Sequence, residues 1–235
     1  MNDAKKPGSI ETLAVHGARP GERGDGDVTP AIHVSTTYER DPDCAYRRGY
    51  SYVRDGNPNR AALERGVAAL EGATMGVAFS SGSAATLALF QEAAGRGRIL
   101  ATDSCYHGTR RQLCELVQTW GGEVTLVDTT SMVDVEAATD RDVALIFVET
   151  PSNPLLGISD LAALADLAAR HGAMLACDNT FATPVLQQPL QYGARLVVHS
   201  STKYIGGHSD VMGGLVVGVD RQWMDRGDPA SAAFP

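Results

Sequence analysis

A lysine and a cluster of hydroxyls follow the apolar run Leu196-Val197-Val198, in the segment Ser200-Ser201-Thr202-Lys203-Tyr204. Upstream, Asp178-Asn179-Thr180 closes another apolar run, Met174-Leu175-Ala176-Cys177. An amine, a carboxylate and hydroxyls at the ends of neighbouring strands match the needs of one cofactor, pyridoxal 5'-phosphate. The amine can join its aldehyde, the carboxylate can keep its ring nitrogen protonated, and the hydroxyls can hold its phosphate.

Further segments occupy the same position after an apolar run. Ser80-Ser81-Gly82-Ser83 links a strand to a helix, where backbone N–H groups attract phosphate and a glycine permits close approach. Taken alone it is also an ordinary N-cap. Tyr106, in Cys105-Tyr106-His107-Gly108-Thr109, can stack on a ring and exchange protons; alone it is an aromatic at the solvent edge. In Glu149-Thr150-Pro151-Ser152-Asn153-Pro154 two prolines restrict the loop around Asn153, whose amide can donate to a phenolate oxygen. Alone, Asn153 is a turn residue. Asp178 ends a buried strand, where a carboxylate is costly unless paired; an N-cap or a salt bridge would also account for it. Lys203, if buried, would have the lowered pKa that amine chemistry needs, against the usual fate of lysine in an exposed loop. Each bland explanation is adequate singly, but together they require five strand ends to match one cofactor by chance.

The elements that must position these groups are legible as alternating periods. Leu63, Val67 and Leu70 share a helical face that Gly72 ends. Strands are expected at 77–79, 98–101, 123–127, 142–148, 174–177, 196–199 and 214–219. Helices are expected at 84–94, 109–120, 132–138 and 161–170. Short apolar strands between amphipathic helices imply an α/β fold, a mostly parallel sheet covered on both faces. In such sheets ligands sit beyond the carboxyl ends of the strands. Residues 1–50, rich in Gly, Pro and Asp, read as an N-terminal arm, and 51–235 as the cofactor-binding domain.

The composition narrows the function classes. With 235 residues, 43% hydrophobic, the chain can bury one well-packed core. A net charge of −8 argues against a nucleic-acid surface. No apolar stretch suits a membrane span, and the N-terminus lacks an apolar signal core, so a soluble cytoplasmic protein is expected. The four cysteines form no Cys-x-x-Cys pair and read as buried or partly buried free thiols. The histidines lack zinc-site spacing. A Gly-x-Gly-x-x-Gly fingerprint and a Walker lysine are absent. Gly207-His208-Ser209-Asp210-Val211 lacks the closing glycine of a hydrolase elbow.

Three strings carry a resemblance: Glu149 to Pro154, Asp178-Asn179-Thr180-Phe181-Ala182-Thr183-Pro184, and His199 to Asp210 with Lys203 at its centre. From about Thr12 to Asp220 the chain resembles the trans-sulfuration enzymes of cysteine and methionine metabolism, most of all those that make or cleave cystathionine. The resemblance implies the aspartate-aminotransferase type of fold (fold type I) and active sites shared between paired subunits. It implies Lys203 as the cofactor lysine and proton carrier, Asp178 at the ring nitrogen, Tyr106 on the ring and Asn153 at the ring hydroxyl. Gly82, Ser83, Ser200 and Thr202 would bind the phosphate, joined by Tyr52 and Arg54 from a neighbouring subunit. It further implies a small amino-acid substrate, a homodimer or homotetramer, and γ-replacement or γ-elimination, with β- and γ-lyases and homoserine-ester sulfhydrylases as the alternatives. Ser83, His107, Asn59 and Arg195 depart from the usual methionine, glycine, threonine and aspartate. The family continues into a smaller C-terminal domain that supplies an arginine for the substrate carboxylate. Because this chain stops at Pro235, the expectation is a large domain without its small one, or a cofactor-binding assembly module that turns nothing over.

Overall fold

The computed structural model describes residues 8–19 and 28–219. The glycine-rich stretch at 20–27, and 220–235 of the expected cofactor domain, lie outside the described residues.

Seven strands form one sheet: β1 (Met75–Phe79), β2 (Arg98–Thr102), β3 (Val124–Val127), β4 (Val143–Glu149), β5 (Met174–Asp178), β6 (Leu196–His199) and β7 (Gly214–Gly218). Their spatial order is β1-β7-β6-β5-β4-β2-β3. The run from β3 to β6 is parallel, and β7 lies antiparallel to both β6 and β1. The reversal has a simple cause. A parallel return needs a crossover, usually helical, and residues 200–213 between β6 and β7 contain no helix.

The helices are α1 (Ile10–His16), α2 (Pro58–Glu71), α3 (Gly82–Ala94), α4 (His107–Arg111), α5 (Met132–Ala138), α6 (Leu161–His171) and the short α7 (Thr183–Leu186). Local signals start and stop them. Asn57 caps α2, with its side chain accepting the N–H of Asn59 and Arg60, and Pro58 follows at the first turn. Gly72, at φ +70°, ends α2 in the left-handed conformation that glycine adopts without a Cβ penalty. Asp160 caps α6, and Gly172 ends it in the same way as Gly72.

Alternate strand residues face opposite layers. Leu145 and Phe147 of β4 join Leu89 and Phe90 of α3 on one side, with the Phe90 and Phe147 rings edge to face at 4.9 Å. Ile146 and Val148 join Leu164 and Leu167 of α6 on the other. Val67 and Ala68 of α2 cover Val197, Leu215 and Val217. The result is the expected helix–sheet–helix layering.

Three local expectations need correction. The arm contains α1, whose seven residues bury nothing and so leave too weak a pattern to read. The expected helix at 109–120 starts at His107 and widens into a π-helix over Gln112–Val117, a change of period that residue types do not announce. Cys44, expected to be at least partly buried, is exposed. No described helix is long and apolar enough to cross a membrane.

Candidate functional site

The carboxyl ends of β1, β2, β4, β5 and β6 surround a cavity of about 190 Å³. Of the ten residues singled out from sequence, eight line it: Gly82, Ser83, Tyr106, Asn153, Asp178, Ser200, Thr202 and Lys203. Tyr52 and Arg54 do not. They sit together elsewhere on the chain, with the Arg54 guanidinium 4.9 Å over the Tyr52 ring.

One wall is the first turn of α3. The Ser81 hydroxyl accepts the Ala84 N–H at 3.1 Å as N-cap, leaving Gly82 and Ser83 to present the free backbone N–H groups of a helix start. A Cβ on Gly82 would stand 2.7 Å from the Cβ of Ser200, so only glycine lets this turn lie against the β6 loop. A Cβ on Gly214 would collide with the carbonyl oxygen of Ser81, so β7 begins flush against the same turn.

The β6 loop forms the second wall. The Thr180 hydroxyl accepts the Ser200 N–H at 2.8 Å, tying the ends of β5 and β6 together. The Thr202 hydroxyl is already occupied in part, donating to the Gly213 carbonyl at 3.3 Å and accepting its N–H at 3.1 Å. Lys203 lines the cavity but is exposed, against the expectation of a buried amine.

The floor carries two carboxylates. Asp178 accepts the Thr180 N–H at 3.0 Å. Burial raises its pKa above the ordinary value, opposed by its Thr180 hydrogen bonds and by the charge of His199. Glu149, missed as a site residue, is 6% exposed and accepts the backbone N–H of Tyr106 at 2.9 Å. Burial and then the neighbouring Asp178 charge push its pKa up to about 7, against the pull of the Tyr106 and Asn153 backbone amides. Burial, and next Glu149, raise the Cys105 thiol to about 12, which leaves it unreactive. Thr86, Thr109, Phe181 and Met212 complete the lining. Thr109 and Phe181 fall in segments that the sequence had marked, without being singled out as site residues; no sequence signal separated Thr86 and Met212 from ordinary helix and loop residues.

Behind the floor lies a polar cluster in apolar surroundings. His199 Nε2 and Glu71 Oε1 are 2.6 Å apart, both side chains fully buried. The Asn179 amide donates to Glu71 Oε1 at 2.8 Å and to the Gln187 carbonyl at 2.9 Å. The cluster joins the end of α2 to the ends of β5 and β6, directly behind Asp178.

The chain matches the family model described as "Cys/Met metabolism PLP-dependent enzyme" over residues 11–231. It is 44% identical over 212 residues to cystathionine gamma-lyase of Bacillus subtilis, covering 90% of this chain and 56% of that protein. It is 42% identical over 212 residues to cystathionine gamma-synthase of Mycobacterium bovis, covering 90% and 55%. The crystal structure of metB from Corynebacterium glutamicum superposes with a TM-score of 0.88 at 47% identity, covering 93% of this chain and 57% of that one. The chain thus spans just over half the length of the relatives it matches. Family model, relatives and superposed structure agree, and the chain belongs to the Cys/Met-metabolism family of pyridoxal-phosphate-dependent enzymes.

Proposed function

We propose that this chain is the pyridoxal-phosphate-binding part of an enzyme that replaces or eliminates a group at the γ carbon of an amino acid. Cystathionine synthesis from an activated homoserine and cysteine is the first choice. The observation that carries the reading is the convergence of eight expected residues, from five strand ends, on one cavity. The cavity fits the cofactor. A glycine-gated helix start and two hydroxyls suit a phosphate, a buried carboxylate with a raised pKa needs a cationic partner, and Lys203 brings an amine to the same cavity.

When bound, pyridoxal phosphate supplies an electron sink that acidifies the C–H bond at the substrate's α carbon. In this account Lys203 would hold the cofactor until the substrate's own amine displaces it; its freed amine would then take the α proton, pass it on, and take the β proton, so that the γ group can leave. Asp178 keeps the ring nitrogen cationic, and that cation restores its own ionisation. Tyr106 stacks on the ring, and Asn153 donates to the ring oxygen. Gly82, Ser83, Ser200 and Thr202 hold the phosphate.

Tyr52 and Arg54 complete the phosphate site of a second copy. Their absence from the lining of this chain's own cavity supports that arrangement. So do the exposed apolar side chains Leu155, Leu156, Leu186 and Met212, in the segments that follow β4, β5 and β6.

Titrating the protein with pyridoxal phosphate should give a yellow visible absorption that Lys203→Ala abolishes; an unchanged spectrum in the variant would remove the assignment. Supplied with an activated homoserine and cysteine, the whole enzyme should make cystathionine. Release of 2-oxobutyrate without consumption of cysteine would identify elimination instead.

A further inference from the structure

Gln112 is polar, 8% exposed, and stands where α4 widens into its π-helix. Its neighbours Leu113 and Val117 are fully buried in the core, so an apolar residue would pack at this depth without cost. A buried amide is retained at a penalty unless its hydrogen bonds are made, and here they are. Oε1 accepts the Thr86 hydroxyl at 2.7 Å, and Nε2 donates to the Ser83 carbonyl at 2.7 Å. Ser83 and Thr86 belong to the beginning of α3 and line the cavity. Gln112 itself follows α4, which begins directly after Tyr106 and carries Thr109, another lining residue. π-Bulges inside α-helices occur frequently at functional sites.

We infer that Gln112 is a positioning residue: its amide braces the phosphate-facing turn of α3 against the helix that starts at Tyr106, and so sets the spacing between the phosphate and ring ends of the site. The inference rests on the cofactor reading above. It assigns Gln112 no contact with the cofactor; the side chain acts through Ser83 and Thr86.

The test compares pyridoxal phosphate with pyridoxal, which has the ring but no phosphate. Gln112→Leu removes both hydrogen bonds at similar length. Gln112→Glu keeps the acceptor but loses the donor to the Ser83 carbonyl, and it serves if the leucine variant does not fold. Either variant should bind pyridoxal phosphate about tenfold more weakly, ~1.4 kcal/mol, while pyridoxal affinity changes much less. The visible circular dichroism of the bound cofactor should fall as well. Equal losses for both aldehydes would mean a merely structural glutamine and would overturn the inference, as would an unchanged affinity ratio. Hydrogen exchange on the cofactor-free protein gives a second readout: amides in the first two turns of α3 should exchange faster in the variant, and unchanged exchange would refute the brace. If the wild-type chain bound neither aldehyde, the cofactor reading would fall, and the role assigned to Gln112 with it; the exchange result would then separate a brace without a ligand from no brace.

Discussion

Glu149 shows how a residue can be visible in a sequence and its role hidden. Its place at the end of β4 followed from the apolar run, but its burial beside Asp178 depends on how β4 and β5 pair, with Glu149 opposite Asp178 in register. That pairing has a measurable consequence in the cofactor-free protein. Folded, Glu149 keeps its proton to about pH 7, whereas the unfolded chain releases it near the ordinary 4.5. Between those values the folded state holds the extra proton, so stability falls as pH rises, and above them the cost is constant. Glu149→Gln removes this slope and retains an oxygen for the Tyr106 N–H. Its advantage over wild type, from urea unfolding, should be on the order of 2 kcal/mol larger at about pH 8 than at about pH 5; a gap that does not change with pH would contradict the burial argument. Lys203 carries the opposite lesson. Its chemistry was legible from residue type and spacing, but its exposure was not, because nothing local in Ser200 to Tyr204 says what lies above the loop.

At the scale of elements, the contacts that aim the site are those between α3, the β6 loop and the start of β7. Gly82→Ala drives a Cβ onto Ser200, and the overpacking should cost roughly 1–3 kcal/mol while loosening phosphate binding. Gly214→Ala meets backbone rather than side chain at Ser81 and should be the more damaging of the two; thermal melts of both variants would decide the order. Beneath them, Glu71 ties α2 to β6. Glu71→Ala leaves His199 and the Asn179 amide buried without that partner, and should lower stability by roughly 3–5 kcal/mol. A loss under about 1 kcal/mol in urea unfolding would show the cluster to be dispensable. Strand and helix positions were largely readable because burial on both faces leaves apolar runs and stripes. The reversal of β7 was readable in principle from the missing crossover helix. The π-helix was not: residue types there announce no change of period, and the bonds of Gln112 to Thr86 and Ser83 of α3 lie between segments far apart in sequence.

For the whole molecule, two features bear on the proposed sharing of sites between copies. The segment beyond the first helix is pinned to α2: the His33 N–H donates to Asn59 Oδ1 at 2.8 Å, and the Asn59 amide donates to the Ala31 carbonyl at 2.7 Å. Asn59, which stood out as a departure from the usual threonine, thus ties residues 31–33 to α2. Tyr52 and Arg54 follow that segment and do not line this chain's cavity; a role for them in a second copy's site is suggested only through resemblance. If copies share sites, mixing Arg54→Ala protein with Lys203→Ala protein should regenerate one intact site per mixed dimer and recover cofactor binding that Lys203→Ala alone lacks and Arg54→Ala alone has only weakly. Tight binding by a dilute monomer of Arg54→Ala would refute the shared site. The central claim is that one amine of this chain bonds to the cofactor. Its most direct test is borohydride reduction of the protein with pyridoxal phosphate, followed by mass spectrometry of the peptides. The expected result is a single stable adduct on Lys203; an adduct confined to another lysine, or none at all, would contradict the account.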